Sequence, residues 1–386
     1  MPPVYTSSLR RFGAFVSGLV LAAAACAAPA DGVLGSAIVI GQTITLQGGK
    51  NAYGMAVQDG IAAYLKRANA QGGVHGRQVL LKTLDDDNSS SQAEANARQL
   101  VQKEKVFLLF GSIEGGPSTA VMKAAVDLKV PFFGPMAGSP TLRRPHQPLV
   151  FPVRSEHRDE FRALLENARS LGMTRVAFFR SDSETGLQHL ENVRLICEAL
   201  KMELVADLPF KSGVAEPEVA AMARRIGTAG AQVVINHGGA GVYEQLIRAA
   251  RAQGVKASFS AVNSGSAQLA ERLGPLAQGM VFAQVMPSPT QRKTEIAREY
   301  QEVFAREFPG KPFSYGSLEG YVTAKALVAA LKLAGPEPTR ESFVQNLLKA
   351  GSLELGGLTA KYRPGDHAGL SLVDLAIYTR DSRFMH

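Results

Sequence analysis

The sequence predicts an α/β protein of two lobes, each a mainly parallel sheet covered by helices on both faces, with a ligand cleft between the lobes. Three observations carry that prediction. From Ala37 onward short apolar runs alternate with longer helical patterns. The alternation pauses at "FPVRS", 151 to 155, and then restarts, so that stretch reads as a crossover between lobes. The turns that lead from strand to helix are rich in Gly, Ser, Asn and Asp, and in such sheets ligands bind outside the carboxyl ends of the strands. A chain of 386 residues is long enough to bury two cores.

The first series opens with a strand at "AIVIGQTITL" and a helix at "YGMAVQDGIAAYLKRANAQGG", whose Val57, Ile61, Tyr64, Leu65 and Ala68 share one face. "RQVLLKTLDD" reads as a strand, "SSSQAEANARQLVQKE" as a serine-capped helix, "VFLLFGS" as a strand, "PSTAVMKAAVDLK" as a helix and "VPFFGP" as a strand. The second series runs from "EFRALLENARSLG" through "RVAFFRS", "GLQHLENVRLICEALK", "ELVADLPF", "EVAAMARRIGTAG", "AQVVINHG", "VYEQLIRAARAQG", "ASFSAV" and "SAQLAERLG" to "GMVFAQV". Two long helices follow "MPSP" at 286 to 289, and the chain closes on a strand-like "LVDLAIYT".

The junctions are where function is expected. "LFGSIEGGPSTA" and "FGPMAGSPTL" belong to the first series; "FFRSDSETG", "VINHGGAGVY" and "SAVNSGSAQ" belong to the second. Helix starts there offer unpaired N–H groups and the positive end of a dipole. Pro117 and Pro140 fit as first helical residues, with Gly116 and Ser139 as caps. Each junction alone reads first as ordinary capping; facing junctions in two lobes favour a shared cleft.

Hydrophobic content is 46%, charged content 20% and the formal net charge +8. No dense Lys/Arg run with interleaved aromatics is present, so the basic balance reads as a solvated surface and not as a nucleic-acid site. The N-terminus, "LRRFGAFVSGLVLAAAACAAPADG", reads as a secretory signal peptide over residues 1–30. Ala28-Pro29-Ala30 offers a cleavage site before Asp31, while "AAAC" resembles a lipoprotein signal with Cys26 lipidated; both readings stand. Removal of Arg10 and Arg11, with no acid before Asp31, leaves 8 − 2 = +6. Cys197, the second of two cysteines, lies on an apolar stripe with Val193, Ile196 and Leu200 and reads as a buried small hydrophobe.

Catalytic patterns are poor. There is no G-x-S-x-G elbow, "GGKN" at 48 to 51 lacks the rest of a P-loop, and "GAGVYE" puts Glu244 where a dinucleotide fingerprint needs its last glycine. The seven histidines are scattered without metal-ligand spacing, and "DDDN" at 85 to 88 reads as helix capping and not as a calcium loop. No enzyme activity, cofactor or metal is expected.

The order of motifs resembles a known family. "Y-G-M-x-x-Q-D-G-I-x-A", "NAQGGVHGRQV", "DDDNSSSQAEANARQLV", "FGSIEGGPSTAV", "VPFFGPMAGSP" and "RVAFFRSDSETG" together look like the periplasmic binding proteins of the leucine/isoleucine/valine type, from ATP-driven uptake systems. The resemblance covers about 37 to 380. It implies two Rossmann-like lobes, the type I periplasmic binding protein fold, joined by three crossovers. The first lobe would hold 36–153 plus about 287–365, and the second 154–286 plus about 366–386. It also implies a periplasmic location, a small-molecule ligand, a membrane permease as partner and a monomer. The ligand carboxylate of amino-acid binders would meet Gly115, Gly116, Ala137, Gly138 and Ser139, although Gly115 stands where those proteins carry a serine. Tyr53 matches an aromatic that walls the cleft; a core tyrosine is the other reading. On the second lobe Thr185 replaces a tyrosine and Asn263 replaces the carboxylate that meets the ligand ammonium. A buried ammonium without a counter-charge is costly, so the ligand is not expected to be a standard α-amino acid; an aromatic or aliphatic carboxylate fits. His237 and Gly239 fall near the cleft, and Glu114 could supply charge. A periplasmic sensor or scaffold that signals through a protein partner is the alternative on the same fold.

Overall fold

The computed structural model describes residues 1–4, 31–47, 51–211, 213–263 and 265–386. The signal peptide read over residues 1–30 and Cys26 lie, apart from the first four residues, outside the described residues.

The first lobe is wound from β1 (Ala37–Ile44), α1 (Ala52–Ala70), β2 (Gln78–Asp85), α2 (Ser90–Gln102), β3 (Leu109–Phe110), α3 (Gly115–Asp127), β4 (Phe132–Phe133) and β5 (Val150–Phe151). Its five strands pair in parallel in the order β2-β1-β3-β4-β5. Every residue of β1 is buried, as expected of a strand covered on both faces. The "DDDN" segment does local work: Asp86 is buried and accepts from Thr45 Oγ1 at 2.7 Å, while the Ser89 side chain caps α2.

The second lobe contains α4 (His157–Ser170), β6 (Arg175–Ser181), α5 (Glu184–Leu200), β7 (Glu203–Phe210), α6 (Glu216–Thr228), β8 (Val233–His237), α7 (Ala240–Ala252), β9 (Ser258–Ala261), α8 (Ser266–Leu273) and β10 (Val281–Gln284). These five strands are parallel, in the order β10-β9-β8-β6-β7. Cys197 is buried in α5, and burial pushes its thiol up to about 11, which leaves it unreactive.

The chain then returns to the first lobe with α9 (Glu295–Glu307), α10 (Tyr315–Leu333), α11 (Arg340–Ala350) and a small antiparallel sheet of β11 (Ser352–Glu354), β12 (Thr359–Arg363) and β13 (Asp366–Gly369). Glycines bring α10 unusually close to α1. A Cβ on Gly60 would stand 1.8 Å from the Ser317 carbonyl oxygen, and one on Gly320 would stand 2.2 Å from that of Val57. The close packing places Glu319 beside Tyr53.

Finally β14 (Asp374–Tyr378) and β15 (Phe384–Met385) extend the second sheet antiparallel at β10. The return to that sheet comes near 373, later than the expected 366. His367 hydrogen-bonds the Val150 carbonyl at 2.8 Å and Leu370 sits in the first core, so β13 stays with the first lobe. The first and last crossovers lie side by side: Ser155 Oγ donates to the carbonyls of Leu370 at 3.0 Å and Leu372 at 2.7 Å.

Candidate functional site

The turns at the carboxyl ends of both sheets enclose a cavity of about 430 Å³, within the range that holds small organic ligands. A wider depression between α1 and α9 is lined by paired charges, such as Arg67 with Glu299 at 2.8 Å, and lies away from these turns.

From the first lobe the cavity is walled by Asn51 and Tyr53 at the start of α1, by Glu114, Gly115 and Gly116 at the start of α3, and by Ala137 after β4. The α3 helix begins earlier than its proline suggests. Glu114 is the cap, at φ 64, and Pro117 is the third helical residue, so Gly116 is not the cap. Proline is tolerated there because the N–H groups of a first turn have no partner within the helix. Gly115 and Gly116 therefore present backbone to the cavity with no side chain in the way. Tyr53 is half-buried: it lines the cavity, packs against the first-lobe core and donates its hydroxyl to Glu319 Oε2 at 2.7 Å, so both readings of this residue apply.

Two expected contacts stand behind this wall. Ser139 is 1% exposed, and its hydroxyl bonds to Thr141 Oγ1 at 2.9 Å; it caps a single 3-10 turn at Pro140–Leu142 and no longer helix. Gly138 faces the His157 ring so closely that a Cβ would meet it at 2.6 Å, and its carbonyl accepts from the His157 N–H at 3.0 Å.

From the second lobe come His157 at the start of α4, Ser181, Ser183 and Thr185 in the β6–α5 turn, His237, Gly238 and Gly239 after β8, and Val262, Gly265 and Gln268 around the β9–α8 turn. The expectation of scattered histidines does not hold: His157, His189 and His237 converge. Ring centroids lie 4.0 Å apart for His189 and His237, 5.3 Å for His157 and His189, and 5.6 Å for His157 and His237. Each comes from a different element, which is why spacing along the chain hid them. Burial, then the neighbouring His157 and Arg180, pushes His237 down to about 3. Burial, then His237, lowers His189 well below the ordinary range.

Behind the cavity a chain of ionic groups joins the lobes. Arg154 is fully buried, pairs with Glu160, and holds Nη1 3.8 Å from Glu319 Oε1. Glu160 Oε1 accepts from His157 Nδ1 at 2.9 Å. Burial disfavours the Glu160 charge, but Arg154 and His157 hold its carboxyl below the ordinary range. Burial raises Glu319, and Arg154 and Tyr53 only partly offset it.

Asn263 belongs to this network and does not wall the cavity. Its backbone N–H donates to Glu160 Oε2 at 2.6 Å, and its amide donates to Glu319 Oε2 at 3.3 Å. It opens onto a neighbouring recess with Tyr53 and Gly265. Nor is the cavity without a counter-charge, since Glu114 opens directly into it. The Glu114 side chain keeps contact with solvent in the cleft, yet enclosure by the two lobes pushes its carboxyl above the ordinary range.

The family model of the periplasmic binding proteins matches residues 37–378. This chain belongs to that family. A Leu/Ile/Val-binding protein homolog 7 from Brucella abortus is 24% identical over 364 residues, covering 90% of this chain and 88% of its own. Among solved structures, a possible leucine/isoleucine/valine-binding protein from Rhodopirellula baltica superposes with a TM-score of 0.82 at 24% identity, covering 93% of this chain and 98% of its own. A leucine-binding protein from Thermotoga maritima superposes with a TM-score of 0.78 at 20% identity, covering 90% and 98%. This periplasmic binding protein thus has the type I two-lobed fold. The family binds small molecules and places the chain in the periplasm; its members are binding proteins and not enzymes.

Proposed function

We propose that this protein captures a small organic carboxylate between its lobes and delivers it, as a monomer, to the permease of an ABC transporter. Residues 1–30 would direct export, with Cys26 either lipidated or removed. The observation that carries the ligand reading is the asymmetry of the cavity: open backbone at Gly115 and Gly116 on one side, and the rings of His157 and His237 on the other. The two glycines can give N–H groups to a carboxylate at the start of α3, where the helix dipole favours negative charge. His157, His237, Thr185 and Gly239 would contact the rest of the solute when the lobes close. Contacts made only in the closed form are what shift the equilibrium toward it.

The Brucella relatives carry leucine, isoleucine and valine in their name. The ligand proposed here departs from an α-amino acid because the acid that opens into the cavity, Glu114, is held above the ordinary carboxylate range by burial and stands on the same wall as Gly115 and Gly116, while the described second-lobe residues lining the cavity include no carboxylate to meet an ammonium. Thermal shift against a metabolite panel, with a chelator present, tests the proposal. A solute at 100 times its dissociation constant stabilises by about 2.7 kcal/mol. The expected outcome is stabilisation by an aliphatic or aromatic carboxylate. No response to any organic solute overturns capture, and micromolar or tighter binding of Leu, Ile or Val overturns the exclusion of amino acids.

A further inference from the structure

Three imidazoles from α4, α5 and the end of β8 meet at the floor of the cavity, and most of their buried nitrogens have no use there. His189 is fully buried, and neither of its ring nitrogens has a hydrogen-bond partner among the described residues; the same holds for Nδ1 of His237. Buried polar atoms are normally satisfied, and leaving several unpaired in one spot is costly. One ligand atom from each of His157, His189 and His237 can be chosen so that all three lie within 4.8 Å of one another. We infer that these three residues bind a first-row transition dication of the zinc class at the cavity floor.

Five features of the site fit that ion. Imidazole suits Zn²⁺, Ni²⁺, Co²⁺ and Cu²⁺, and three histidines with an open position form a known zinc arrangement. For Zn–N bonds of about 2.0–2.1 Å the three nitrogens have to draw together by no more than about 1 Å each from their present separation. His157 is already oriented: Nδ1 donates to Glu160, which leaves Nε2 as its ligating atom, and a carboxylate behind a metal-bound histidine raises its basicity. The nearby cations are committed elsewhere, Arg180 to Asp207 through bonds of 2.7 and 2.8 Å and Arg144 to Glu156. His157 and His237 face the cavity while His189 lies behind them, so the open coordination position points toward the solute.

The inference does not require an organic solute, and its test uses metal alone. Chelator-treated protein is titrated with Co²⁺ without added solute. The expected result is one equivalent bound, with the intense visible bands of four-coordinate cobalt, displaced by Zn²⁺. His189→Phe and His237→Asn should each weaken binding at least about 100-fold while leaving far-UV circular dichroism unchanged. X-ray absorption of the wild-type zinc form, which needs no variant, should show three imidazoles. Absence of one-equivalent binding, undiminished binding in the double variant, or fewer than two imidazoles in the absorption spectrum overturns the inference. Cobalt binding with no response to the metabolite panel leaves this site standing and removes the organic solute; the reverse outcome removes this site alone.

Discussion

The two walls of the cavity are built from different materials. The first-lobe wall offers backbone where α3 meets the cavity, at Gly115 and Gly116 in the helix start and Ala137 in a turn, with the Tyr53 and Glu114 side chains at its margins. The second-lobe wall is side chain: imidazole rings seated on a buried chain of charges that runs from His157 through Glu160 and Arg154 to Glu319. A backbone wall needs little support and offers the same N–H groups whatever surrounds it. A ring wall holds its shape only while the charges behind it stay balanced. Stability and binding are therefore expected to be separable on the first wall and coupled on the second.

The largest test of that coupling is Arg154→Ala. Removal of the guanidinium leaves Glu160 and Glu319 facing each other in a buried site, and breaking such a network costs about 3–5 kcal/mol. Urea unfolding should show the loss, with a matching drop in solute affinity. A variant that keeps wild-type stability would mean the charges do not hold the wall. Gly138→Ala should come next. Its Cβ would lie 2.6 Å from Cγ and 2.8 Å from the backbone nitrogen of His157, so backbone has to move. Overpacking of this kind costs about 1–3 kcal/mol, and the displaced ring should weaken solute binding by more than the change in stability alone explains. Tyr53→Phe removes one bond to Glu319 while Asn263 and Arg154 remain; about 1.5 kcal/mol is expected, read in the same unfolding curves.

The difference between the walls also explains what could be read in advance. A strand-to-helix turn made of glycine and serine declares itself in a short window, which is why Gly115, Gly116, Ala137 and Gly239 were legible. The alternation of strands and helices is likewise local, and the family order of motifs supplied the crossovers. The ring wall has no such signature. His157, His189 and His237 are separated by 32 and 48 residues (189 − 157 and 237 − 189), so only the tertiary fold brings them together. Asn263 differs from its expected place for a related reason. Substitution of a carboxylate by an amide looked like the loss of a charge, but Glu319 arrives from α10, more than fifty residues later, and occupies the space behind it. A signal did exist in His157 and Glu160, three residues apart at the start of a helix and therefore on one face. It would have identified the pair and not its partners on α5 and β8.

The smallest expected effect on stability is also the sharpest test of the backbone wall. Gly115 stands where the amino-acid binders of the family resemblance carry a serine. A Cβ at this position would lie 3.8 Å from Ser139 Cβ, which is ordinary contact, and the backbone is helical with no positive φ. Gly115→Ser should therefore fold as the wild type does, with a change within about 0.5 kcal/mol. A rotamer that turns its hydroxyl away from Ser139 and toward the cavity would add one donor to a carboxylate. If the first wall binds the polar end of the solute, the variant should bind the same carboxylate a few-fold more tightly, by about one hydrogen bond's net worth of 0.5–1.5 kcal/mol. A loss of affinity at unchanged stability would instead mean that the solute fills the space over Gly115 with an apolar group, and that its polar end lies against the histidine rings.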